Sequence, residues 1–222
     1  MADELYLAPK ATPAAVAGGP IIILDMGDNI GGGSPGDSTF ILQAALSLSV
    51  RGFLQTLVDP QAVELCVQAG VGKIVHLAVG GKADELHGKP IVLKAVVDSL
   101  SDGCWEDLSP NHGGNRYFNA GQMACISTVD GHVTIVLTSE RCGNTSRGIH
   151  SNIGVEPEQF RVIVAKGVES PLLAFEPIAA AVLTANSPGI TSADITSFEF
   201  YHRPSPLYPF EHAPAGRSTA KL

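Results

Sequence analysis

The chain has 222 residues, 45% hydrophobic and only 16% charged, which suits one larger domain or two small lobes with a real core and argues against disorder. A formal charge of -8 without a Lys/Arg cluster argues against a nucleic-acid partner. No segment approaches the roughly 18 apolar residues of a membrane span. The opening MADELYLAPKATPAAVAGG carries acids and prolines without the basic stretch of a signal peptide, so a cytoplasmic protein is expected.

Residues 1–19, rich in Ala, Pro and Gly, read as an N-terminal extension. The run Ile21-Ile22-Ile23-Leu24-Asp25 reads as a strand buried on both faces. After a glycine-rich stretch, Asp37-Ser38-Thr39 reads as the cap of a helix through FILQAALSLS. FLQTLV, 53–58, is a second strand. Asp59-Pro60 then predicts a helix with Asp59 as N-cap and Pro60 in its first turn, stopping at Gly70. A third strand follows over 71–80. Residues 20–80 therefore read β-α-β-α-β, which predicts a right-handed parallel unit.

The middle is strand-rich: PIVLKAVVDSL, then two alternating runs joined by Asp130-Gly131, a hairpin signal. Polar loops are predicted over 101–121 and 140–154. A strand over 160–166 ends in Lys166, a lone cation expected to snorkel or to pair with a carboxylate. PLLAFEPIAAAVLTA reads as a helix interrupted by Pro177, ITSFEFY as a last strand, and 211–222 as a disordered tail. The fold class is α/β: a mixed β-sheet with flanking helices, in one domain over 20–210.

The chemistry concentrates in DMGDNIGGGSPGDST, residues 25–39. Its glycines formally match a dinucleotide loop between strand and helix. They begin too late for the tight first turn, however, and Asp25, Asp28 and Asp37 flank them with no Lys or Arg close in sequence. Two like charges about 5 Å apart repel by roughly 3 kcal/mol at an effective dielectric near 20. That exceeds the ~1 kcal/mol a helix terminus offers an anion. A structural loop with positive-φ glycines, or a loop facing a substrate or partner, are the other readings.

The same string resembles the DxxDNPGGGxPGD motif of the C-terminal domain of microcystinase C-type metallopeptidases, with Ile30 where that family has proline. The resemblance continues through LVDPQAVELCVQAGVGKIVHLAVGGKADELHGKP and GQMACISTVDGHVTIVLTSERCGNTS to Arg203-Pro204. It implies a zinc-dependent amide hydrolase or peptidase whose metal is held by a preceding domain through an acidic residue and an Asp-x-His pair. The partner implied is a protein carrying that metal domain, with a homo-oligomer as the alternative. No zinc is expected on this chain alone. Carried over, the substrate-facing positions are Asp28, Asn29, Gly31, Gly32, Gly33, Gly36, Asp37 and Lys166. The chain departs from the family after Lys166: Ser170 stands where a histidine is usual and Leu172 where an arginine is usual. If that histidine moves a proton, its loss costs about 10²- to 10⁴-fold. A non-catalytic binding or scaffolding subunit is therefore the rival expectation.

The remaining candidates point less sharply. The seven histidines show no HxH or HxxxH spacing, and HExxH is absent. Cys66, Cys104, Cys125 and Cys142 form no CxxC pair and read as free thiols of a reducing compartment. His112 and Arg116 sit in the mobile-looking NHGGNR loop, Trp105 reads as loop packing, and Glu140-Arg141 as a surface pair. No Ser/His/Asp or Cys/His grouping has a recognisable local context.

Overall fold

The computed structural model describes residues 18–211. The expected extension up to residue 17 and the expected tail from 212 lie outside the described residues. The chain forms two compact units, one reaching Ser192 and the other starting at Ala193.

The larger unit is built on an eight-stranded sheet. In chain order its main elements are β1 (Ile21–Asp25), α1 (Phe40–Ser47), β2 (Phe53–Val58), α2 (Pro60–Ala69), β3 (Ile74–Val79) and β4 (Ile91–Ser101). Then come β5 (Cys104–Glu106), β6 (Tyr117–Asn119), β7 (Met123–Thr128), β8 (Val133–Thr138), the single turn α3 (Gly148–Ser151), β9 (Val162–Ala165), the turn α4 (Leu172–Phe175) and β10 (Ala181–Ala185). The strand order is β10-β1-β9-β2-β8-β7-β4-β3. β10 through β8 are mutually parallel; β7, β4 and β3 are added antiparallel.

Both faces of the parallel part are covered, so its strands are apolar nearly without interruption. Ile23, Phe53, Leu57 and Val164 meet Ile41 and Leu42 of α1 and Val63 of α2. On the other face Ile22, Leu24, Leu54 and Ile163 meet Ile149 of α3 and Phe175 of α4. β4, covered on one face, alternates instead: Leu93, Ala95 and Val97 point inward while Val92, Lys94 and Asp98 are exposed. Asp130-Gly131 turns the β7–β8 hairpin as its sequence predicts, with Gly131 at φ 70°.

The parallel β-α-β-α-β unit needs correction. β1 and β2 are parallel but do not touch, because β9 lies between them. β3 pairs only with β4, antiparallel, at the sheet edge. β4 carries an irregularity between Val97 and Ser99, and the β3–β4 arm returns so that Gly80 N–H donates to Asp59 at 2.9 Å and Gly81 N–H to the Asp37 carbonyl at 2.7 Å.

Three further expectations change. The helix over PLLAFEPIAAAVLTA is only α4 and a 3-10 turn, Glu176–Ile178; Pro177 cannot donate within a helix, and AVLTA leaves as β10 to pair with β1. The loop over 101–121 contains the ribbon β5–β6, pinned by Trp105 stacked on Phe118 with centroids 5.1 Å apart. ITSFEFY is a 3-10 turn, Ile195–Ser197, and not a strand among the described residues. This smaller unit also pairs Arg203 with Glu211, the guanidinium lying 4.4 Å from the Phe210 ring centre.

Candidate functional site

β10, β1 and β9 are adjacent and parallel, so their carboxyl ends share one edge of the sheet. The residues at those ends are Asp25 and, just past them, Asp28, Lys166 and Ser187. Lys166 is 1% exposed, and its ammonium lies 3.0 Å from Asp25 Oδ2 and 2.8 Å from Asp28 Oδ2. It also donates to the Ser38 carbonyl at 3.1 Å. Sequence separation hides this: Lys166 and Asp25 are 141 positions apart. The acidic loop that lacks a nearby cation in the sequence has one in space.

Each contact is worth about 5 kcal/mol of attraction at an effective dielectric near 20, against several kcal/mol of desolvation per ion. The remaining oxygens must therefore be bonded. Asp28 accepts from Ser34 Oγ, from Gly36 N–H at 2.8 Å and from Ser38 N–H at 2.7 Å. Asp25 accepts from Ser187 Oγ. Burial pushes the Asp28 carboxyl up, but Lys166 and these hydrogen bonds outweigh it and hold the pKa at about 2. Burial likewise works against the charge of Lys166, yet Asp25 and Asp28 win and raise its pKa.

Asp28 thus shapes the glycine-rich loop from inside. Gly36, at φ 83°, lies so close to Ile30 and Val58 that an added Cβ would stand 2.8 Å from each. Asp37 does not cap α1, whose N-cap is Thr39 with no side-chain bond. Its Oδ2 accepts from the N–H groups of Lys82 and Ala83 at 2.7 and 2.9 Å. The segment 80–90 clasps the loop there and again through Thr39, whose N–H donates to the His87 carbonyl at 3.0 Å. Gly31, Gly32 and Gly33 are exposed at the loop tip, with Asn29 half-buried beside them and its Oδ1 without a partner.

The same clasp assembles Ser34, His87 and Asp84, which the sequence spacing does not reveal. Ser34 Oγ is 3.1 Å from His87 Nε2, and His87 Nδ1 is 2.8 Å from Asp84 Oδ1. The order is that of a nucleophile, base and orienting acid. Here Ser34 and the His87 side chain are 0% exposed and the serine proton goes to Asp28, so the group braces the loop and no substrate reaches it. Asn144, also unmarked in the sequence, accepts from the Lys166 N–H at 2.8 Å and contacts Thr56, whose hydroxyl meets buried His150 Nε2 at 3.2 Å.

Outside this core lies a cavity of about 370 Å³. Its walls include Ile30 and Gly31 of the loop, His112 and Tyr117 of the β5–β6 ribbon, and Arg141 and Cys142 after β8, with Lys166 and Ser170 after β9. The carboxyl edge of parallel strands is where open α/β sheets hold ligands. Of the predicted site residues, Gly31 and Lys166 border it directly. Asp28 and Asp37 are buried behind the loop, and Arg116 is turned to Glu106 at 2.5 Å. Burial pushes the Cys142 thiol to about 11, so it stays protonated at neutral pH and is no nucleophile. Among the described residues no three His, Cys, Asp or Glu side chains are grouped to hold a metal, and buried Asp25 and Asp28 are committed to Lys166. Nor is any helix among them long and apolar enough to cross a membrane.

Residues 23–202 match the family described as the MlrC C-terminus. Microcystinase C of Sphingomonas sp. is 30% identical over 212 residues, covering 95% of this chain and 38% of that protein. A crystal structure from Mesorhizobium sp. BNC1, provisionally described as a metallopeptidase, superposes with a TM-score of 0.80 at 25% identity, over 97% of this chain and 42% of the other. The chain therefore spans about two fifths of the length of these relatives, and it belongs to the MlrC C-terminus family.

Proposed function

We propose that this chain is the substrate-facing C-terminal part of a metal-dependent amide hydrolase, with the metal, zinc by the family resemblance, held on another domain or chain. The observation that carries this reading is the cavity at the carboxyl ends of β1, β8 and β9, bordered by a loop tip of bare glycines. Side-chain-free amides let a peptide backbone approach closely, and the Asp25–Lys166–Asp28 core fixes them before substrate arrives. No grouping among the described residues fits the metal, so in this reading they bind and orient, and hydrolysis belongs to the metal-bearing part. Family membership and the name of the Sphingomonas relative support a peptide amide as the bond class.

The test is reconstitution with a family metal domain and assay on a linear peptide. Gly31→Val, which would cover the bare amide at the cavity edge, is expected to lower kcat/KM about 10- to 100-fold with unchanged thermal stability; full activity in that variant refutes the loop's role. A second reading, a binding subunit without catalysis, is favoured by Ser170 on the cavity wall where the family carries histidine. It predicts a complex that binds peptide without cleaving it, and gain of cleavage in Ser170→His. Robust hydrolysis by the native pair excludes it.

A further inference from the structure

We propose that the outer edge of β3 is an interface between two copies of this chain, the two β3 strands pairing antiparallel about a two-fold axis with His76 opposite His76. The inference is independent of how the cavity is read. β3 stands at the end of the strand order and pairs only with β4. Val97 N–H donates to the Lys73 carbonyl at 2.9 Å, and that bond fixes which way the strand faces. In the register with β4, Val75, Leu77 and Val79 bond inward, while the N–H and carbonyl groups of Ile74, His76 and Ala78 point to the open side. No backbone group among the described residues meets them there.

Open edges are normally blunted by a charged residue, a proline or a bulge. From Ile74 to Val79 there is no Lys, Arg, Asp, Glu or Pro, and the register is unbroken. What such an edge accepts is another strand, and its own sequence fits it. With His76 opposite His76, Ile74 lies opposite the second copy's Ala78, a large side chain against a small one. No like charges face each other across the seam. Ile74 is 56% exposed and Val92, beside Ala78 on β4, is 76% exposed. Pairing joins them into an apolar row, Val96 and Ile74 of one copy running on into Ala78 and Val92 of the other. The nearest cations, Lys94 beside each His76, stay three strand spacings apart, roughly 14 Å, beyond a Debye length of about 8 Å. None of the cavity wall is on β3, so the dimer leaves the cavity open. β3 runs on into the 80–90 clasp on Asp37, so pairing also anchors one end of that clasp.

The test is sedimentation equilibrium of the full chain across the micromolar range, where a reversible dimer is expected. His76→Asp and His76→Lys each set like charges opposite one another at the two-fold axis. Each is expected to raise the dimer Kd about tenfold or more, with an unchanged thermal midpoint because the side chain is exposed. An equimolar mixture of the two variants is expected to restore the dimer, since Asp then faces Lys. In the native chain, amide exchange at Ile74, His76 and Ala78 should slow as concentration rises. A chain that stays monomeric, a dimer that both variants leave intact, or a mixture that associates no more tightly than either variant alone overturns the proposal. Protection of those three amides only on adding a family metal domain assigns the edge to that domain and overturns it equally.

Discussion

Replacing Lys166 by Met would strip the counterion from two carboxylates that are 0–1% exposed. Breaking a buried pair on one side costs roughly 3–5 kcal/mol, more than the pair's own net worth, so chemical denaturation of Lys166→Met should show a loss of that size. Acid acts on two groups whose windows begin at different pH. Burial holds His150 at about 3, below the ordinary 6.5, so the native state binds fewer protons than the unfolded one and stability falls as pH drops below about 6.5. Asp28, held at about 2, adds a second loss only below about pH 4, as its unfolded counterpart takes up a proton first. His150→Phe should flatten the slope between pH 6.5 and 4 while leaving the lower limb, as read from urea midpoints across pH. Residue-level roles were half legible. A lone Lys at a strand end predicts a carboxylate partner, but nothing near Lys166 in sequence names Asp25 and Asp28. His87, Asp84, Ser187 and Asn144 matter through contacts that close only in three dimensions, so no local spacing marks them.

Among the elements, the signals that worked were those whose cause is local. Asp59-Pro60 starts α2 because the side chain of Asp59 accepts from Ala62 N–H at 3.0 Å and proline needs no donor there. The same carboxylate holds Gly80 N–H and the Lys82 ammonium. Asp59→Ala should therefore cost about 2–3 kcal/mol, above an ordinary cap at about 1 kcal/mol, and loosen the 80–90 clasp. Limited proteolysis after Lys82 and Lys89 would report the loosening. Elements whose fate is decided at a distance were misread. AVLTA has an alanine-rich, helix-like look, yet each of its five residues is in register with β1. Asp37 carries a cap's sequence position and is claimed by Lys82 and Ala83 from the far side of the loop.

For the molecule as a whole, the alternation and the apolar runs predicted a mixed α/β sheet, and the sheet found is that. Strand order was not predictable, since periodicity reports how a strand is buried and not beside whom. The proposed division of labour makes a demand at this scale. Adding a family metal domain should slow amide hydrogen exchange at 30–33, 112–119 and 141–143, which border the cavity, and leave α2 unchanged. Equal protection everywhere, or none, would place the contact elsewhere.

β9 lying between β1 and β2 has a consequence for synthesis. Of the strands described, β1 leaves the ribosome before all the others, yet its ladder partners among them are β9 and β10, which leave last. While β2, β4, β7 and β8 can already pair with one another, β1 waits as an apolar ribbon with both edges open. Nascent chains stalled before residue 162 should accordingly be cleaved by protease near residues 21–25, and those released beyond 185 should not. The glycine-rich loop, whose cation also arrives with the end of β9, acquires its shape only in that last step.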